Sequence, residues 1–220
     1  NRAPGAPGSG LLSEDCIDLV GSVDGCSIPV TRTTGNELQE LCWNHYYFEH
    51  MLVLQSITFP DGMCVIDLKL GFHTDISAWT YSPMRQQMLQ IRAQHVALDR
   101  TPVRLLGDKI FRTSDTVVGM YAERDGLRTQ AQLDSNDLRG AARACVEWSF
   151  SNLKNFYELL LKRNCHKLLV SPVYGMIKVM ALLNNCRCCL EGTTCSTYFR
   201  LRAPSLEEYL GQPVPPAEEA

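Results

Sequence analysis

The chain has 220 residues, 45% of them hydrophobic and 20% charged, a globular mixture long enough for one domain and a small appendage. Its net charge of -3 argues against the basic surface that nucleic-acid binding normally uses, and no apolar run reaches the about 20 residues of a membrane helix. These features predict a soluble protein with neither nucleic acid nor membrane among its partners.

The opening NRAPGAPGSG, residues 1–10, is too rich in Gly and Pro to fold alone, and the tail 213–220 is polar and proline-rich. Both are expected to be disordered. The chain starts at Asn1 without a methionine, so it reads as a processed or excised form. Ten cysteines would make five disulfides in a secreted chain. The absence of any Asn-x-Ser/Thr acceptor favours reduced thiols and a cytoplasmic or nuclear location.

After a loop-like start, Asn36 to about Met51 has helical composition, although Trp43, Tyr46, Tyr47 and Phe48 are crowded enough for a strand. Burial in the core is expected for that aromatic cluster. VLQSITF, Pro60-Asp61-Gly62 and MCVIDLKLGF form a hairpin signal: Cys64, Ile66, Leu68 and Leu70 alternate with Val65, Asp67 and Lys69. Ser82-Pro83 supplies an N-cap and first position for the helix MRQQMLQIRAQHVAL. Two or three short strands follow, joined by Gly107-Asp108 and Asp125-Gly126 turns. Ser135 or Asn136 then starts a long helix with Leu138, Ala142, Cys145, Trp148, Leu153, Phe156 and Leu160 on its apolar face. Ser171-Pro172 restarts the chain into a helix over about Val173 to Leu190, which Gly192 stops.

In that last helix Leu182, Cys186 and Leu190 fall at i, i+4 and i+8, one stripe, with the small Ala181 before the leucine. Such a ridge suits insertion into a partner's groove. Ala181-Leu182-x3-Cys186-Arg187-x2-Leu190 resembles the elongin-binding BC box of SOCS-box proteins. Leu201, Pro204 and the closing Leu206-x-x-Tyr209-Leu210 are similar to the cullin box, with Arg202 and Ala203 departing from the usual Leu-Pro-aliphatic-Pro. The first 170 residues resemble no named family.

The resemblance implies an α+β substrate-receiving domain over 11–170 and a small all-α SOCS box over 171–212, with the BC box at 181–190 and the cullin box at 201–210. It implies a non-catalytic adaptor of a cullin-RING ubiquitin ligase. Elongin C and elongin B would bind through Ala181, Leu182, Cys186, Arg187 and Leu190. Cullin-5 (or cullin-2), with its RING protein, would bind through Leu201, Pro204, Leu206, Tyr209 and Leu210. An unknown target protein would be delivered for ubiquitination and proteasomal degradation.

No cofactor and no metal are expected on this reading. Two alternatives compete with it. Cys165-His166 with Cys186, Cys188, Cys189 and Cys195 could form a structural zinc site in an intracellular regulatory protein, though the spacing is poor. The cysteines could instead staple a secreted binding protein. Enzyme motifs such as the P-loop, GxGxxG, HExxH and GxSxG do not occur. Asp61, Asp67, Asp75, Asp108 and Asp125 read as turn residues that bond the backbone.

Overall fold

The computed structural model describes residues 18–123, 126–162 and 166–211. The predicted disordered ends, Cys16, Cys165 and the Asp125 half of one predicted turn lie outside the described residues. The fold is mixed α and β, with one mixed sheet and, among the described residues, seven α-helices.

Strand β1 (Leu19–Pro29) occupies the middle of the sheet. Helix α1 (Asn36–Cys42) and the two-residue β2 (Trp43–Asn44) lead into β3 (Glu49–Thr58) and β4 (Cys64–Leu70). The β3–β4 hairpin turns where the Pro-Asp-Gly signal placed it; Gly62 takes a φ of +92°, which only glycine adopts without strain. Helices α2 (Asp75–Thr80) and α3 (Pro83–Ala97) follow, then β5 (Arg104–Leu106) and β6 (Val117–Val118). The long α4 (Gln130–Phe156) and a 3-10 turn (Glu158–Leu161) precede α5 (Val173–Glu191), α6 (Thr194–Phe199) and α7 (Leu206–Tyr209).

The strand order is β2-β3-β1-β5-β6, with β4 also paired to β3. β1 runs antiparallel to β3 and parallel to β5. Alternation along each strand divides the core between two faces. Ile28, Leu52 and Leu54 pack with Val146, Phe150 and Leu153 of α4 and with Val173, Ile177 and Met180 of α5. Val23, Ile57, Leu105 and Val117 pack on the other face with Trp79, Met84 and Met88 of α2 and α3. With helices on both faces, every residue from Met51 to Thr58 is buried.

Three local expectations are corrected. The stretch taken as a loop is β1: its two glycines and Asp24 read as turn chemistry, but a strand hydrogen-bonded on both sides and covered by helices overrides that preference. α4 starts at Gln130, because Thr129 and Gln132 form a reciprocal capping box. Asn136 is inside that helix and caps a passing loop instead: its Oδ1 accepts from Tyr121 N at 2.9 Å and its Nδ2 donates to Tyr121 O at 2.8 Å. The aromatic cluster is not core: Tyr46, Tyr47 and Phe48 are exposed at the β2–β3 turn, held by Asn44 Oδ1, which accepts from the amides of Tyr46 and Tyr47.

Candidate active site

The sheet brings two distant aspartates near each other. Ser22 of β1 pairs with Leu106 of the parallel β5, and Asp108, just past the end of that strand, comes near enough to Asp24 for its charge to act on it. Asp24 Oδ1 accepts from Gly25 N at 2.8 Å, which fixes its rotamer. The Asp108 carboxylate accepts from Ile110 N in a tight turn past the strand end.

Alternation turns Asp24, Cys26 and Ile28 toward α4. That helix anchors itself with buried Val146, Phe150 and Leu153, leaving Arg143 and Glu147, one turn apart, along its border. Arg143 Nη1 donates to Asp24 Oδ2 at 2.7 Å, and Nη2 donates to Glu147 Oε1. Lys154, further along α4, lies near enough to Cys26 for its charge to pull the thiol down against burial. On the opposite face of β1, the carboxylate of Asp75 at the start of α2 lies against the Cα of Gly25.

Burial dominates the electrostatics of these carboxylates. Burial pushes the Asp24 carboxyl up from 3.8 to about 6; the Gly25 amide and Arg143 pull it down, while Asp75 and Asp108 push it further up. Burial and Asp108 raise Asp75 in the same direction. Carboxylates are hard oxygen donors of the kind that suits Mg2+ or Mn2+, and in donor type the residues fit such ions. Among the described residues, no group of three or more acidic, histidine or cysteine side chains is drawn together tightly enough to grip an ion; Arg143 holds Glu147 and Asp24 instead.

The residues expected to bind elongin and cullin lie elsewhere. On α5 the stripe turned inward contains Ala181, Asn184, Asn185 and Cys188; Leu182 and Leu190 stand to its side, 45% and 69% exposed. Cys186 is half-buried, and the Arg187 guanidinium stacks over Phe156, 3.3 Å from the ring centroid. Leu201, Pro204, Leu206 and Tyr209 are half-buried, and Leu210 is exposed. The two sets meet within the chain, since Leu182 and Tyr209 border one groove of about 440 Å³ beside Met63 and Ile66. Asn185 Nδ2 donates to Tyr209 Oη at 3.0 Å, tying α7 to α5.

The acidic residues lie on β1, in the turn just past its parallel neighbour β5, and on α4. The chain belongs to the DDE superfamily endonuclease family, whose model matches residues 23–185. No curated protein and no solved structure matches the chain.

Family membership overturns the SOCS-box resemblance. The adaptor function, the non-catalytic role, the elongin C, elongin B, cullin and RING partners and the exclusion of nucleic acid fall with it. The physical reasons are local. A leucine, a cysteine and a leucine four apart require only an amphipathic helix, and α5 is amphipathic because its neighbouring stripe packs on this sheet. The closing Leu-x-x-Tyr-Leu is a single capped turn, with Ser205 and Glu208 forming the box. Net charge sums the whole chain and says little about a site where bound cations can supply the positive charge.

Nothing supports the alternatives. The eight described cysteines are free, and zinc ligation involving Cys165 lies outside the described residues. No helix among the described residues is long and apolar enough to cross a membrane.

Asp24 and Glu147 escaped sequence reasoning because nothing local joins them to Asp108. One signal was available: Asp24 interrupts the apolar run LVGSVDGCSIPV.

Proposed function

We propose that the chain is a metal-dependent endonuclease acting on DNA, with Asp24, Asp108 and Glu147 as the two aspartates and the glutamate of the family's name. The observation that carries this reading is the β1–β5 pairing, which brings Asp108 at the end of β5 near Asp24, while Arg143 links Asp24 to Glu147 on α4. The three carboxylates would hold divalent cations, whose chemistry is to polarise a phosphodiester and neutralise charge on attacking and leaving oxygens.

The chain's own residues supply position. Asp24 is fixed by the Gly25 amide, and Asp108 by the turn at Ile110. The Glu147 side chain is 55% exposed, so the border of the site is open to a large polyanion. Lys154 adds a positive group beside Cys26, on the face of β1 that carries Asp24.

The test is conversion of supercoiled plasmid to nicked circles by the full chain in Mg2+ or Mn2+, with and without chelator. Nicking that needs the ion and is lost in Asp108→Asn supports the reading. Ion-independent nicking, or nicking retained by Asp108→Asn, refutes it.

A further inference from the structure

Arg143 is placed as a cation would be. Its forked guanidinium spans a carboxylate of the sheet and a carboxylate of α4, donating to Asp24 at 2.7 Å and, through the other nitrogen, to Glu147. Both members of the Asp24 pair are mostly enclosed, with side chains 19% exposed, so the contact is not a solvent-screened surface pair. Arg139, one turn earlier, differs: it is 3% exposed, donates to Gly119 O at 2.8 Å and lies over the Tyr121 ring. Arg139 is part of the frame, whereas the hydrogen bonds of Arg143 go to two proposed ligand groups. A second positive centre on the same oxygens would repel the guanidinium, and the long arginine side chain can swing away by rotamer change without moving α4.

We propose that Arg143 is a built-in counter-cation that competes with divalent ions for Asp24 and Glu147 and so sets the ion concentration at which the site assembles. The inference rests on the endonuclease reading of these carboxylates. Arg143 is a positioning residue: it acts through Asp24 and Glu147.

Calorimetric titration of the full chain with Mn2+ tests it without any cleavage assay. Arg143→Gln is expected to bind Mn2+ about tenfold more tightly than wild type, equivalent to about 1.4 kcal/mol. Arg143→Lys, whose single ammonium can serve only one carboxylate at a time, should fall between the two. Affinity unchanged or weakened in Arg143→Gln would overturn the proposal. Should that variant fail to fold, Arg143→Lys decides in the same way, tighter binding supporting it and equal or weaker binding refuting it. Asp108→Asn separates the two levels, because the hydrogen bonds of Arg143 go to Asp24 and Glu147. Mn2+ affinity unaffected by Asp108→Asn refutes the endonuclease site itself, whereas loss there with no gain in the Arg143 variants refutes only the competition.

Discussion

The Cα of Gly25 lies directly against the carboxylate of Asp75: a methyl group built there would come within 2.0 Å of Asp75 Oδ1. Glycine at this place lets the start of α2 close onto the back of the strand that carries Asp24. Asp75 is the end of a short side chain and can turn aside, so Gly25→Ala should fold with a loss of about 1 kcal/mol. Its displaced charge should lower nicking at least tenfold. Thermal melting alongside a nicking assay checks both parts; wild-type nicking would show that the close approach has no bearing on the site.

The hairpin, the Ser82 cap, α5 and its stop at Gly192 were legible because each depends on neighbours in sequence. Gly192 shows this well, with a φ of +73° where the helix ends. β1 was not legible, and it carries the decisive residue. Its strand character comes from β3 and β5, which pair with it from distant parts of the chain, and from the helices on its faces. The proposed set, dispersed over a strand, a loop and a helix, has no spacing to read. The leucine-cysteine stripe near the end had a clear spacing and pointed to the wrong family, since the pattern reports an amphipathic helix and nothing more specific.

Asp24 makes stability depend on pH in a definite direction. Folded, it keeps its proton up to about 6, against an ordinary carboxylate value of 3.8. Folding therefore takes up a proton between those values, and stability falls as pH rises through that window, by a total on the order of 2–3 kcal/mol. Asp24→Asn has no such charge to bury. Its melting temperature relative to wild type should climb from pH 4 to pH 6 and level off above, while nicking is abolished. A difference independent of pH would contradict the assignment.

Four buried or partly buried thiols should be slow to react. Burial pushes Cys26 and Cys64 up to about 11, and Cys188 and Cys195 up to about 12. The thiolate is the reactive form, so at pH 8 only about one part in a thousand or less of each is available. With Ellman's reagent at pH 8, these four should be protected in the native chain and react promptly in denaturant. Peptide mapping identifies them, and rapid native labelling of Cys64 or Cys188 would contradict the packing of α5 on β4.

Asn185 joins α5 to the sheet edge. Its Oδ1 accepts from Cys64 N at 3.0 Å, and its Nδ2 donates to Cys64 O at 2.8 Å and to Tyr209 Oη. Asn185→Ala strands a buried amide and carbonyl and should cost about 2–3 kcal/mol. Tyr209→Phe removes one bond of the set and should cost about 1 kcal/mol. Urea unfolding of both variants checks the order; equal losses would show that the backbone pair carries no weight.

The central claim is that Asp24, Asp108 and Glu147 work as one unit. The most direct measurement is the nicking rate of Asp24→Asn, Asp108→Asn, Glu147→Gln and the double variant Asp24→Asn/Glu147→Gln, each verified as folded. The expected result is a loss of about a thousandfold or more in every single variant, with the double variant no worse than the singles. Any one of the three singles retaining a tenth of the wild-type rate would contradict the account.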